Sequence, residues 1–101
     1  MQPTTEPKNC LRDRLEEAVR NSQGIPIHTL EGLKGYIIDH HPPGHFLCNV
    51  LSNDLMGAVS RADACNLQCL PEIVRFVYNH APRNCWGSRE KVAAWLQHGQ
   101  D

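Results

Sequence analysis

Between Leu11 and Leu96 the apolar residues recur every three or four positions, and Gly, Pro or a polar cluster cuts each run after a few turns. A chain so divided cannot form one long helix or a sheet with alternating faces; it must pack several short helices against each other. Leu11, Leu15, Ala18 and Val19 share one face, with Arg12, Asp13, Arg14, Glu16, Glu17 and Arg20 on the others, which predicts an amphipathic helix over about 10–21. Ser22, Gln23, Gly24 and Pro26 end it. Thr29 then reads as the N-cap of a second helix carrying Leu30, Leu33 and Ile37. Gly32 and Gly35 each cost that helix about 1 kcal/mol against alanine, so its inner face must pack closely.

The run His40-His41-Pro42-Pro43-Gly44 enforces a turn, because each proline restricts the residue before it away from helical dihedrals. Phe46, Leu47, Val50 and Leu51 predict a short third helix, and Asn53-Asp54 offers a cap to a fourth bearing Leu55, Met56, Ala58, Val59 and Ala62. Leu67, Leu70, Ile73, Val74 and Val77 place a fifth over about 68–80, expected to be central, with Pro71 in its first turn where a missing N–H does no harm. Ser88 caps the last helix, which carries Val92, Ala93, Trp95 and Leu96 and ends at Gly99. The expectation is an all-α fold, a compact single-domain bundle of five to six short helices over 10–99, behind a disordered N-terminal lead, 1–9.

A chain of 101 residues supports one core and excludes a multidomain enzyme. The formal net charge of −1 gives no support to whole-molecule attraction toward nucleic acid or anionic lipid. The first eight residues lack the basic-then-apolar form of a secretion signal, and every apolar stretch falls short of the roughly 20 residues that span a bilayer. Five cysteines are an odd number, and with no secretory context reduced thiols and an intracellular setting are expected.

Three constellations invite chemistry. Cys65 and Cys69 are one helical turn apart and His45 and Cys48 are three apart, so the two pairs could close a tetrahedral zinc site; the intervening sequence is not a zinc knuckle, and buried cysteines acting as small hydrophobes explain the same residues. The histidines His40, His41 and His45 surround the prolines, but no nucleophile elbow, phosphate loop or metal-binding helix motif accompanies them. Cys85, just before a helix start, could be an activated thiol, although lone loop cysteines are mostly inert. The chain is therefore expected to be non-catalytic, with no metal and no cofactor.

The stretch with the best binding physics is Arg83 to Lys91, where Ser88 opens a helix beside Arg83, Arg89 and Lys91, with Trp86 as a stacking surface. Residues 61–91 hold five basic residues against three acidic ones, a small positive patch far short of a DNA-binding stripe. A solvated helix start with Trp86 packed on the core accounts for the same pattern. Asn53, Asp54, Arg61, Asp63 and Asn66 form a second polar set, read first as helix caps.

The run Pro43-Gly44-His45-Phe46-Leu47-Cys48-Asn49-Val50-Leu51-Ser52-Asn53-Asp54-Leu55, with Ala58, Ala62-Asp63, Asn66, Leu70-Pro71-Glu72-Ile73-Val74, Tyr78-Asn79 and Trp86-Gly87-Ser88 to Trp95, resembles a family of small uncharacterised proteins of tailed bacteriophages and prophages. The likeness covers about residues 24–96. The chain departs from the family pattern at Cys48, Cys65 and Cys69, positions not generally cysteine there, and at the variable His45. The resemblance implies an accessory phage gene acting in the host cytoplasm against a defence component, an analogy from setting rather than from chemistry. It implies two readings: a sponge that sequesters a nucleotide-type immune signal, with Arg61, Arg75, Ser88 and Arg89 holding phosphates and Tyr78 or Trp86 stacking the base, or a protein inhibitor of a defence effector of the anti-CRISPR kind. A small DNA-binding regulator is a lesser third, disfavoured by charge. A homodimer or higher oligomer would help so small a chain enclose a ligand.

Overall fold

The computed structural model describes residues 8–98. Seven α-helices lie among them: α1 (Lys8–Asn21), α2 (Ile27–Asp39), α3 (His45–Leu51), α4 (Leu55–Arg61), α5 (Ala64–Gln68), α6 (Leu70–His80) and α7 (Arg89–His98), with a 3-10 turn at Arg83–Cys85 before α7. The described residues contain no strand. The all-helical class is as expected; the count exceeds five to six because Asp63 opens a helix of its own. Its carboxylate accepts from the Asn66 N–H at 2.8 Å, which starts α5 afresh after α4, and Cys69 (φ −106°, ψ 18°) divides α5 from α6. Of the expected lead, Lys8 and Asn9 already belong to α1, while residues 1–7 and the cap at Gly99 lie outside the described residues. No helix among the described residues is long and apolar enough to cross a membrane.

The central element is α2, not the helix at 70–80. Thr29, Leu30, Leu33, Tyr36, Ile37 and Ile38 are buried on α2, against Ile73, Phe76 and Val77 on α6. Gly32 makes this possible on one side, since a Cβ there would lie 3.2 Å from Leu47 Cδ1 of α3. Around α2 the core gathers Leu15 from α1, Leu47 and Leu51 from α3, the three α6 residues, Cys85 from the turn and Val92 from α7. Helices α1 and α2 pack together, α6 closes on α1, and α3 pairs with α4 while touching α7.

Thr29 is not the cap of α2. That helix begins two residues earlier, where the Pro26 carbonyl accepts from the N–H groups of Thr29 and Leu30, each at 3.1 Å. The Thr29 hydroxyl instead donates to Asn66 Oδ1 at 2.7 Å in a buried bond that ties the start of α2 to α5. Asp54 and Ser88 do cap as their sequence positions suggest: Asp54 Oδ1 accepts from the Gly57 N–H at 3.0 Å, and Ser88 Oγ accepts from the Lys91 N–H at 3.2 Å. Pro71 occupies the first turn of α6 as expected.

Two helical glycines should respond oppositely to alanine. Gly35 has open space where a Cβ would stand, so Gly35→Ala should stabilise the fold by about 0.5–1 kcal/mol. At Gly57 the added carbon would lie 2.5 Å from Asp54 Oδ2 and 2.6 Å from Asn49 Nδ2. Gly57→Ala should therefore displace the Asp54 cap and destabilise by about 1–2 kcal/mol despite the better helix propensity. Urea unfolding of both variants checks the opposed signs.

Candidate functional site

Three helices deliver their C-terminal ends to one cleft, and each ends on a histidine: His40 follows α2, His80 closes α6 and His98 closes α7. The cleft measures about 930 Å³, near the top of the roughly 300–1,000 Å³ usual for small-molecule sites. Leu11, Ile37 and Ile38 supply apolar lining, Ala81 and Pro82 one edge, and Trp95 an aromatic surface; Arg14, Arg83, Asn79 and Asn84 add polar side chains. None of the described lining residues is a carboxylate.

Tyr36 holds the walls together. It is fully buried, its hydroxyl donates to the Cys85 carbonyl at 2.7 Å, and its own carbonyl accepts from the Trp95 indole N–H at 2.8 Å. That same carbonyl accepts from the His40 N–H at 3.0 Å, closing the end of α2. His40 adopts left-handed dihedrals (φ 58°), a conformation that costs a non-glycine residue about 1–2 kcal/mol. It is retained because its Nδ1 lies 2.7 Å from the Trp95 carbonyl and its ring centroid 4.4 Å from that of Trp95. A carbonyl only accepts, so Nδ1 carries the hydrogen and Nε2 is left as the remaining polar atom of the ring. The bond also satisfies one of the last-turn carbonyls that α7 cannot pair internally.

Helix C-termini carry partial negative charge, about half a unit each, so three of them would favour a cation over an anion. Two observations reverse that balance. The terminal carbonyls of Tyr36 and Trp95 are occupied by donors, and that of Ala81 accepts from the Trp86 indole at 3.4 Å. Arg83 meanwhile brings a full positive charge to the lining. The guanidinium of Arg83 lies 5.9 Å from the Trp86 ring centroid, which braces it at the rim.

The residues singled out in the sequence fall into separate places. Arg61 and Arg89 come together in a polar pocket of about 260 Å³ with His45, Ser52, Ser60 and Asp54. There Arg89 Nη2 is 3.1 Å from Asp54 Oδ2, an oxygen that also accepts from Asn49 at 2.9 Å, so an incoming anion would compete with a carboxylate already in place. Ser88 spends its hydroxyl on the α7 cap. Tyr78 and Trp86 meet with ring centroids 5.9 Å apart, and Trp86 is half-buried and lines neither space. Arg75 is exposed on α6 and joins none of these groups. Sequence reasoning named Arg83 but passed over Arg14, Trp95, His80 and His98. The signal was a histidine at the end of three amphipathic runs, and only folding shows that those ends meet.

The cysteine constellations separate as well. Cys65 and Cys69 border a shallow depression beside Gly24 and Glu72, whereas His45 and Cys48 line the Arg61 pocket. Among the described residues no three His, Cys, Asp or Glu side chains come together as a metal-binding group. Cys85 is fully buried, and desolvation pushes its thiol up to about 12, so it holds no thiolate for nucleophilic attack at neutral pH. Comparison with family models, curated proteins and solved structures gives no match.

Tyr36→Phe removes the donor to the Cys85 carbonyl and leaves that acceptor buried and unpaired, so stability should fall by about 1–3 kcal/mol with helix content unchanged. Burial raises the Tyr36, Cys48, Cys69 and Cys85 proton affinities above their ordinary values. The native state therefore keeps protons that the unfolded chain releases. Stability should hold below pH 9, then decline as the pH rises through the window from 9.0 to about 12 set by Cys85. The urea midpoint should be lower at pH 10 than at pH 7. At pH 8, Cys10 and Cys65, both exposed, should react with a thiol reagent before Cys85 does.

Proposed function

We propose that this protein is a non-catalytic binding protein that sequesters a nucleotide-type ligand, in the setting of a phage countering a host defence signal. The observation that carries the reading is the cleft at the ends of α2, α6 and α7, where Arg83, three histidines and Trp95 line one space with no carboxylate among the described lining residues. Guanidinium groups make bidentate bonds to phosphate, and an aromatic face accepts a base at about 1–3 kcal/mol per stack. The rigid, hydrogen-bonded frame suits capture more than turnover, since ligand contacts need not be assembled on binding. Arg61 and Arg89 belong to a separate pocket and serve this reading less well than Arg83, because Asp54 already occupies Arg89.

A protein-directed inhibitor is the second reading, favoured by α4. Leu55, Met56 and Val59 on that helix are 64%, 83% and 43% exposed, an apolar presentation with no role in the cleft.

A thermal-shift panel of cyclic and ADP-ribose-type nucleotides separates the two. At a ligand concentration one hundred times Kd, capture should stabilise the fold by about 2.7 kcal/mol, a rise in Tm on the order of 10 °C for a domain of this size. Arg83→Glu should abolish the rise. A flat response across the panel would sink the nucleotide reading and leave the inhibitor.

A further inference from the structure

The cleft is not uniform along its length. At one side the His40 and Trp95 rings meet at a tilt of 33° with centroids 4.4 Å apart, and the His98 ring lies 6.2 Å from that of His40, so the ends of α2 and α7 build an aromatic wall. At the other, His80, Arg83 and Asn84 fall within five residues where α6 gives way to the 3-10 turn, which makes a wall of hydrogen-bond donors around one guanidinium. Different helices supply the two walls, and buried Tyr36 holds them in fixed relation, its hydroxyl on the 3-10 turn and its carbonyl on Trp95. An inorganic anion would use only the second wall and an uncharged aromatic molecule only the first.

We infer that the cleft binds its ligand in one polarity, with a nucleobase on the His40–Trp95–His98 wall and a diphosphate on the Arg83–His80–Asn84 wall. The inference rests on the nucleotide reading above and adds to it the orientation and the class, a nucleoside diphosphate or a larger molecule containing one. A guanidinium presents five N–H donors, more than one terminal phosphate uses, and His80 and Asn84 extend that donor set. The second phosphate should therefore strengthen binding, and the strengthening should depend on Arg83. His98, at the opposite wall, should affect the base and leave the phosphate preference untouched. The Arg83 and His98 side chains are both exposed, so their replacement leaves the fold standing.

The test is titration of the full chain with AMP and with ADP, followed by calorimetry and by tryptophan fluorescence, in the unaltered protein and in Arg83→Gln and His98→Ala. ADP should bind the unaltered protein roughly tenfold more tightly than AMP, the scale of one charge-assisted hydrogen bond. Arg83→Gln should bring that ratio close to one, while His98→Ala should weaken both nucleotides by the same factor and preserve it. Equal binding of AMP and ADP by the unaltered protein, an undiminished ratio in Arg83→Gln or a collapsed ratio in His98→Ala would each overturn the polarity while leaving nucleotide capture intact. Absence of binding by both nucleotides would instead remove the functional reading on which the polarity rests.

Discussion

Tyr36 is the residue on which the geometry of this protein turns. Its ring lies in the core with no exposed surface, and a phenol can be buried so completely only if its hydroxyl finds a partner. The partner is the carbonyl of Cys85, and that bond pins the 3-10 turn to α2. The Tyr36 carbonyl receives both the N–H of His40, one turn further along the chain, and the Trp95 indole N–H, so one residue sets the end of its own helix and the seat of α7. A buried aromatic body supplies stabilisation of about 2–3 kcal/mol, but its two polar ends decide where neighbouring elements sit.

That arrangement explains why the cleft lies where it does. Helices α2, α6 and α7 end around Tyr36, and helix ends leave carbonyls that need donors. The Trp95 and Trp86 indoles and the His40 ring meet that need, so the tryptophans act partly as capping groups. With those carbonyls occupied, the remaining character of the cleft comes from its arginines and histidines. The left-handed backbone of His40 is the strain this solution carries, offset by its bond and ring contact with Trp95.

Much of the helical pattern was readable along the chain because caps and breakers act locally. Asp54, Asp63 and Ser88 accept from N–H groups three residues on, and Pro71 sits in a first turn where it removes no helical bond. Thr29 misled because a threonine three residues after a proline can cap a helix or lie inside its first turn, and its hydroxyl went to Asn66, thirty-seven residues away. The central place of α2 escaped the pattern for a similar reason. Its two glycines lower intrinsic helix stability, and one of them is repaid only by the close approach of Leu47, a contact that no local spacing encodes. The candidate site was the least legible part. Arg61 and Arg89 do meet, and Tyr78 does meet Trp86, but the aromatic residue lining the larger cleft is Trp95.

Period, breakers and caps along the sequence determined that this chain is helical, where most of its helices start and stop, and which faces turn inward, because each of those depends on interactions within about one turn. Tertiary structure alone decided which helix is central, that three histidine-terminated ends share one space, and that Cys85 is sealed in the core while Arg83 stands at a rim. Those outcomes depend on hydrogen bonds between residues up to fifty-nine positions apart, such as Tyr36 with Trp95, and such partners are chosen only when the core closes.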